Sequence, residues 1–104
     1  MRADELKGHM DGLILAVVAR EPLHGYAVIE ALKERSGGAL ALPEGTVYPV
    51  LHRLEADGLL ASQWSVVAGR RRRVYRITRS GERELGVRRE RWHAFAQTIE
   101  AVLA

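Results

Sequence analysis

Apolar residues recur along this chain with a helical period in four places and with a strand period in one pair. Met10, Leu13, Ile14 and Val17 fall at i, i+3, i+4, i+7, the stripe of an amphipathic helix. Gly8 and Gly12 weaken its first turn, and Glu21-Pro22 ends it, because a residue before proline avoids the α region. A second helix is predicted from about Gly25 to Arg35, with Val28, Ile29 and Leu32 inward and Ser36-Gly37-Gly38 as its stop. The clearest stripe is Val47, Val50, Leu51 and Leu54, closed by Asp57-Gly58. Pro49 leaves two starts open for that third helix: near Thr46, or at Pro43 with a bend at Pro49.

Leu59–Val67 and Arg72–Ile77 read as two strands whose large apolar members are Trp64, Val66, Tyr75 and Ile77. Ala68-Gly69-Arg70-Arg71 is the expected connection. The small apolar residues Ala39–Leu42 suggest a further short strand pairing with this hairpin. Thr78 suits the N-cap of a last helix carrying Leu85, Trp92 and Ile99 seven residues apart, with Arg88, Phe95 and Val102 interleaved. The order helix, helix, helix, strand, strand, helix is mainly α with a small β-hairpin (α+β). It describes a winged helix-turn-helix with an added C-terminal dimerisation helix. Residues 1–78 form the expected DNA-binding domain and 79–104 the dimerisation helix.

Charge sharpens that picture. The 104 residues carry a net charge of +3, but residues 1–45 balance at −2 and residues 46–104 at +5. Six arginines lie between Val66 and Arg79 (Arg70, Arg71, Arg72, Arg73, Arg76, Arg79) with no carboxylate among them. A basic hairpin beside a helix with a small outer face is an electrostatic footprint for a polyanion. Advancing about 100° per residue, Gly45, Pro49, His52 and Ala56 lie opposite the apolar stripe, flanked by Tyr48 and Arg53. Such a face fits a major groove, with Arg53 reaching a guanine edge or phosphate and Thr46 and Tyr48 contacting phosphates. Arg70–Arg73 would reach phosphates or a minor groove, but strand alternation sends them to opposite faces, so not all four can touch DNA.

The chemistry present excludes more than it offers. There is no cysteine, and the apolar run Leu13–Ala19 is too short to span a bilayer and makes a poor signal peptide. A cytoplasmic protein with no membrane partner is expected. His52 has no histidine partner at metal-ligand spacing, and no catalytic triad, carboxylate pair or phosphate-cradling loop is found. No enzyme activity, metal or cofactor is expected. The alternative reading is a winged-helix module that binds protein rather than DNA.

The segment Glu44-Gly45-Thr46-Val47-Tyr48-Pro49-Val50-Leu51-His52-Arg53-Leu54-Glu55-Ala56-Asp57-Gly58-Leu59 resembles the signature of PadR-type transcriptional regulators. His24-Gly25-Tyr26, Gly69-Arg70-Arg71-Arg72, and Tyr75-Arg76-Ile77-Thr78 with Gly81 agree, so the resemblance spans roughly residues 10–103. It implies a bacterial dimeric repressor of the compact subgroup with a single C-terminal helix. Tyr48, Pro49 and Arg53 would lie on the recognition helix and the wing arginines on the DNA backbone. His52 stands where family members often have lysine.

A winged-helix core cannot bury the C-terminal stripe as well as its own interior, so a two-fold homodimer is expected. Its predicted interface is Met10, Leu13, Val17, Leu85, Trp92, Phe95, Ile99 and Val102. Trp92, Phe95 and Met10 are the candidate pocket for a small aromatic effector, with His93 and Glu90 at its rim. Two indoles meeting across a two-fold axis could hold a flat ring, and the resemblance permits such a ligand. Plain core packing is the competing account of Trp92.

Overall fold

A computed structural model describes residues 3–6 and 8–104. Residues 1 and 2, which open the expected DNA-binding domain, and residue 7 lie outside the described residues. After a 3-10 turn at Ala3–Leu6 the elements are α1 (Met10–Arg20), β1 (Leu23–His24), α2 (Gly25–Arg35), α3 (Glu44–Ala56), β2 (Leu60–Val67), β3 (Arg70–Ile77) and α4 (Arg79–Leu103). The strands form one antiparallel sheet in the order β1-β3-β2. This is a winged helix-turn-helix, α+β, as the pattern predicts.

The stripes face a single core. Ile14, Leu15 and Val18 of α1, Val28 of α2, Val47, Leu51 and Leu54 of α3, and Leu60 of β2 are fully or nearly fully buried. Glu21 ends α1 in extended backbone, as a residue before proline must. Ser36, Gly37 and Gly38 stop α2, the two glycines at φ of +62° and +92°. Of the two starts open for α3, the structure takes the earlier: Pro43 is the N-cap, and the helix runs through Pro49. Pro49 has no N–H for the Gly45 carbonyl one turn back. Both residues are exposed, so water can fill the missing bond.

Two expectations about strands need correction. Ala39–Leu42 is not a strand. The Leu40 N–H donates to Ser36 Oγ at 2.8 Å and Leu40 is buried, which ties this segment to the end of α2. The third strand is instead Leu23–His24, paired with Tyr75 and Val74 directly after Pro22. The hairpin connection is also two residues rather than four. Val67 pairs with Arg70, and Ala68 and Gly69 turn the chain at φ of 51° and 76°. Positive φ at both positions is the primed turn that matches strand twist. Arg70 and Arg71 are therefore strand residues, with their sides fixed by alternation.

Thr78 caps α4 as expected: Oγ1 accepts from the Gly81 N–H at 3.0 Å and donates to the Gly58 carbonyl at 2.7 Å. Gly81 is required by a close approach, because a Cβ there would lie 2.1 Å from the Leu59 carbonyl oxygen. The start of α4 belongs to the main core, where Gly81 and Leu85 are its buried members. Beyond them α4 extends along a molecule 52 Å in its longest dimension.

Candidate nucleic-acid interface

The outer face of α3 is built as the stripe predicts. Gly45, Thr46, Pro49, His52 and Ala56 are exposed opposite the buried Val47, Leu51 and Leu54. Tyr48 is half-buried over the start of α2. A Cβ at Gly25 would come within 2.8 Å of its ring, so Gly25 makes room for the tyrosine. Burial raises the Tyr48 phenol, Glu44 adds to that, and nearby Arg72 opposes it. His24, at the other side of this junction, is held below its ordinary value by burial and then by the Arg72 charge. The Arg72 charge is thus felt by both groups.

Strand register divides the wing arginines. Ser62, Trp64 and Val66 of β2 stand opposite Tyr75, Arg73 and Arg71 of β3 and share a face with them. Arg70, Arg72 and Arg76 project to the other side. The first face turns toward α3, because Ser62 Oγ donates to Glu55 and accepts from Arg73 Nε at 2.7 Å. Arg73 also lies 3.6 Å from the Glu55 carboxylate. On the same face the Arg71 and Arg73 guanidinium carbons sit 4.9 and 5.6 Å from the Trp64 ring centroid.

Arg53, expected to reach a guanine edge or phosphate, is held from the side of α1 while its side chain stays 52% exposed. Its guanidinium donates to both Asp11 carboxylate oxygens, at 2.8 and 2.6 Å, joining α3 to α1. Arg88 of α4 approaches the same carboxylate at 3.6 Å and donates to the Gly8 carbonyl at 3.3 Å. Asp11 is thereby held below the ordinary carboxylate range, chiefly by the Arg53 hydrogen bonds. One carboxylate ties three helices together.

The dimer expectation divides as well. Val17 and Leu85 are each 4% exposed in the protomer's own core, so neither can form a seam with a partner. Helical spacing alone could not tell an inward stripe from an outward one. Met10 and Leu13 are part-buried against the same core. Trp92, Phe95, Ile99 and Val102 remain exposed, and Leu103 extends their stripe. A cleft of about 700 Å³ lies between the start of α1 and α4, lined by Leu13, Ala16, Leu85, Arg88, Trp92 and Phe95 among others. Trp92 meets His9 edge-on with centroids 5.3 Å apart and Phe95 at 5.8 Å. His93 lines this cleft, whereas Met10 and Glu90 do not; Met10 packs on the core instead.

A model of the PadR-like family of transcriptional regulators matches residues 14–87. The chain belongs to this family. It is 46% identical over 72 residues to a transcriptional regulator of Mycobacterium tuberculosis, a match covering 69% of this chain and 64% of that protein. A PadR family transcription regulator from Clostridium difficile superposes with a TM-score of 0.82 at 28% identity, over 93% of this chain and all of the other. The fold also matches a transcriptional regulator from Clostridium thermocellum, with a TM-score of 0.89 at 24% identity and nearly full coverage of both. The PadR-like protein is a regulator of transcription and not an enzyme, and family membership implies DNA binding. Among the described residues, no helix is long and apolar enough to cross a membrane.

At this interface the sequence pattern gives the elements but not the partners of their side chains. Asp11 and Arg53 are 42 residues apart, and no local pattern links them. The alternation makes Trp64 an apolar strand member, yet it is 54% exposed among arginines. A tryptophan in register with a basic strand was the available signal.

Proposed function

We propose that this PadR-like protein is a cytoplasmic transcriptional repressor that binds an inverted-repeat operator as a homodimer. The observation that carries this is the joint surface of α3 and the hairpin. The outer face of α3 carries Gly45, Thr46, Tyr48, Pro49 and His52, and Glu55 of the same helix is joined through Ser62 and Arg73 to the wing that bears Arg70, Arg71, Arg72 and Arg73. The small outer residues of α3 allow close entry into a major groove, and the wing supplies guanidinium groups for the neighbouring backbone. Arg53 borders that surface and anchors α3 through Asp11.

The dimer is supported by the exposed stripe of α4. Trp92, Phe95, Ile99, Val102 and Leu103 fall within roughly a third of the helix circumference at about 100° per residue. A second copy of the same helix is the two-fold solution that buries them. Half-sites about one turn of DNA apart follow from that symmetry. The cleft beside Trp92 and Phe95 has room for a flat aromatic effector, whose binding between the subunits would change the spacing of the two recognition helices. A mobility-shift assay against the protein's own promoter tests the reading, repeated with planar aromatic compounds. A retarded complex that weakens steeply with salt is expected, and absence of any complex at low salt would overturn the proposal.

A further inference from the structure

We propose that Trp64 is a positioning residue for DNA contact, holding Arg71 at a fixed distance from the recognition helix. This rests on the DNA-binding reading and identifies which wing arginine is used. The contacts form a chain from α3 outward. Glu55 of α3 accepts from Ser62 and lies 3.6 Å from Arg73. Arg73 donates Nε to Ser62 and lies over the Trp64 ring. Trp64 in turn carries Arg71, whose guanidinium carbon is 4.9 Å from the ring centroid. Arg71 itself has no carboxylate partner among the described residues, so its charge is uncompensated. Arg73 is the anchor and Arg71 the free end.

Trp64 is 54% exposed and Val66 beyond it 73% exposed, so the indole packs on the arginines rather than in the core. Stacking lets a guanidinium keep its in-plane N–H groups free for phosphate oxygens while its flat face is covered. It also removes rotamer freedom before DNA arrives, so less is lost on binding. Arg70 lies on the opposite face of β3 with no such support and serves as an internal control of equal charge.

The test is fluorescence anisotropy with short duplex DNA of mixed sequence, titrated with salt. R71Q should weaken binding and lower the salt slope by about 0.9, the share of one phosphate contact, and by more than R70Q, which removes an equal charge that no ring supports. Trp64→Ala should weaken binding by about threefold to tenfold in the parent and have no further effect in R71Q, with Trp64→Phe restoring most of the loss. Equal effects of R70Q and R71Q, or a full effect of Trp64→Ala in the R71Q background, would overturn the proposal. A parent protein without salt-dependent duplex binding would instead overturn the DNA-binding reading itself.

Discussion

Removing the Asp11 carboxylate should uncouple α3 from α1 and α4, and the size of the effect can be worked from the contacts. Asp11 accepts two hydrogen bonds from Arg53, and its side chain is 17% exposed against 52% for Arg53. Opposite charges about 4 Å apart attract by roughly 4 kcal/mol at an effective dielectric constant of about 20, before desolvation and side-chain ordering are subtracted. Half of Arg53 is solvated, and exposed pairs retain only up to about 1 kcal/mol. The bidentate geometry and the part-buried carboxylate raise that, so a coupling energy of about 1–2 kcal/mol is expected from an Asp11→Ala, Arg53→Ala double-mutant cycle. Asp11→Ala alone should cost about 2–3 kcal/mol, because Arg88 loses a partner too and its Nε is already buried without a hydrogen bond. Urea denaturation at one fixed protomer concentration measures both. The folded-state pKa of Asp11 is depressed, so its contribution is present above the ordinary aspartate value of 3.8 and is lost as the pH falls through and below it. The stability gap between parent and Asp11→Ala should therefore be constant near neutrality and close in acid. A coupling below about 0.3 kcal/mol, or a gap that persists in acid, would refute the argument.

Ala68 sits at φ of 51°, a position where an L side chain other than asparagine or aspartate is strained, so Ala68→Asn should stabilise the hairpin by about 0.5–1 kcal/mol in thermal unfolding. Gly81→Ala places a Cβ 2.1 Å from the Leu59 carbonyl oxygen and 2.7 Å from Ile77 Cγ1; a loss of about 2–4 kcal/mol is expected from denaturant unfolding, and a neutral result would mean that α4 can shift away from β2. Phe95→Glu puts a charge in the exposed stripe of α4 and should halve the mass measured by light scattering at micromolar concentration while leaving the far-ultraviolet helix signal in place. An unchanged mass would place the subunit contact elsewhere.

Elements with a repeating period were legible in the sequence. The stripe of α3 named its buried and outer residues correctly, and Thr78 was recognisable as a cap from its position before a polar helix start. What escaped has no period to read. β1 is two residues long and exists only because β3 passes beside it. The turn at Ala68-Gly69 lacks the asparagine or aspartate that signals a primed hairpin, so the pattern does not show that Arg70 and Arg71 already belong to β3. Val17 and Leu85 carried the right spacing for a seam, but spacing does not say whether the seam is shared with another subunit or with the rest of the chain. The Asp11 contacts join residues distant in sequence, and only the packed fold brings them together.

The placement of carboxylates sorts the arginines into two kinds. Arg53 and Arg88 are drawn to Asp11, Arg88 also lies near Glu84, and Arg73 is held by Ser62 and Glu55. Each of these spends its charge on joining one element to another. Arg70, Arg71, Arg72 and Arg76 have no ion pair among the described residues, and all four stand on β3. A cation already paired inside a protein must break that pair, or share it, before it can neutralise a phosphate. A surface meant for a polyanion should therefore keep its carboxylates away from the charges it will use. Arg70, Arg71, Arg72 and Arg76 of the hairpin satisfy this condition, whereas Arg53 of α3 does not. The net charge of the chain thus understates the field at the wing, and steep salt dependence should trace to β3 rather than to α3.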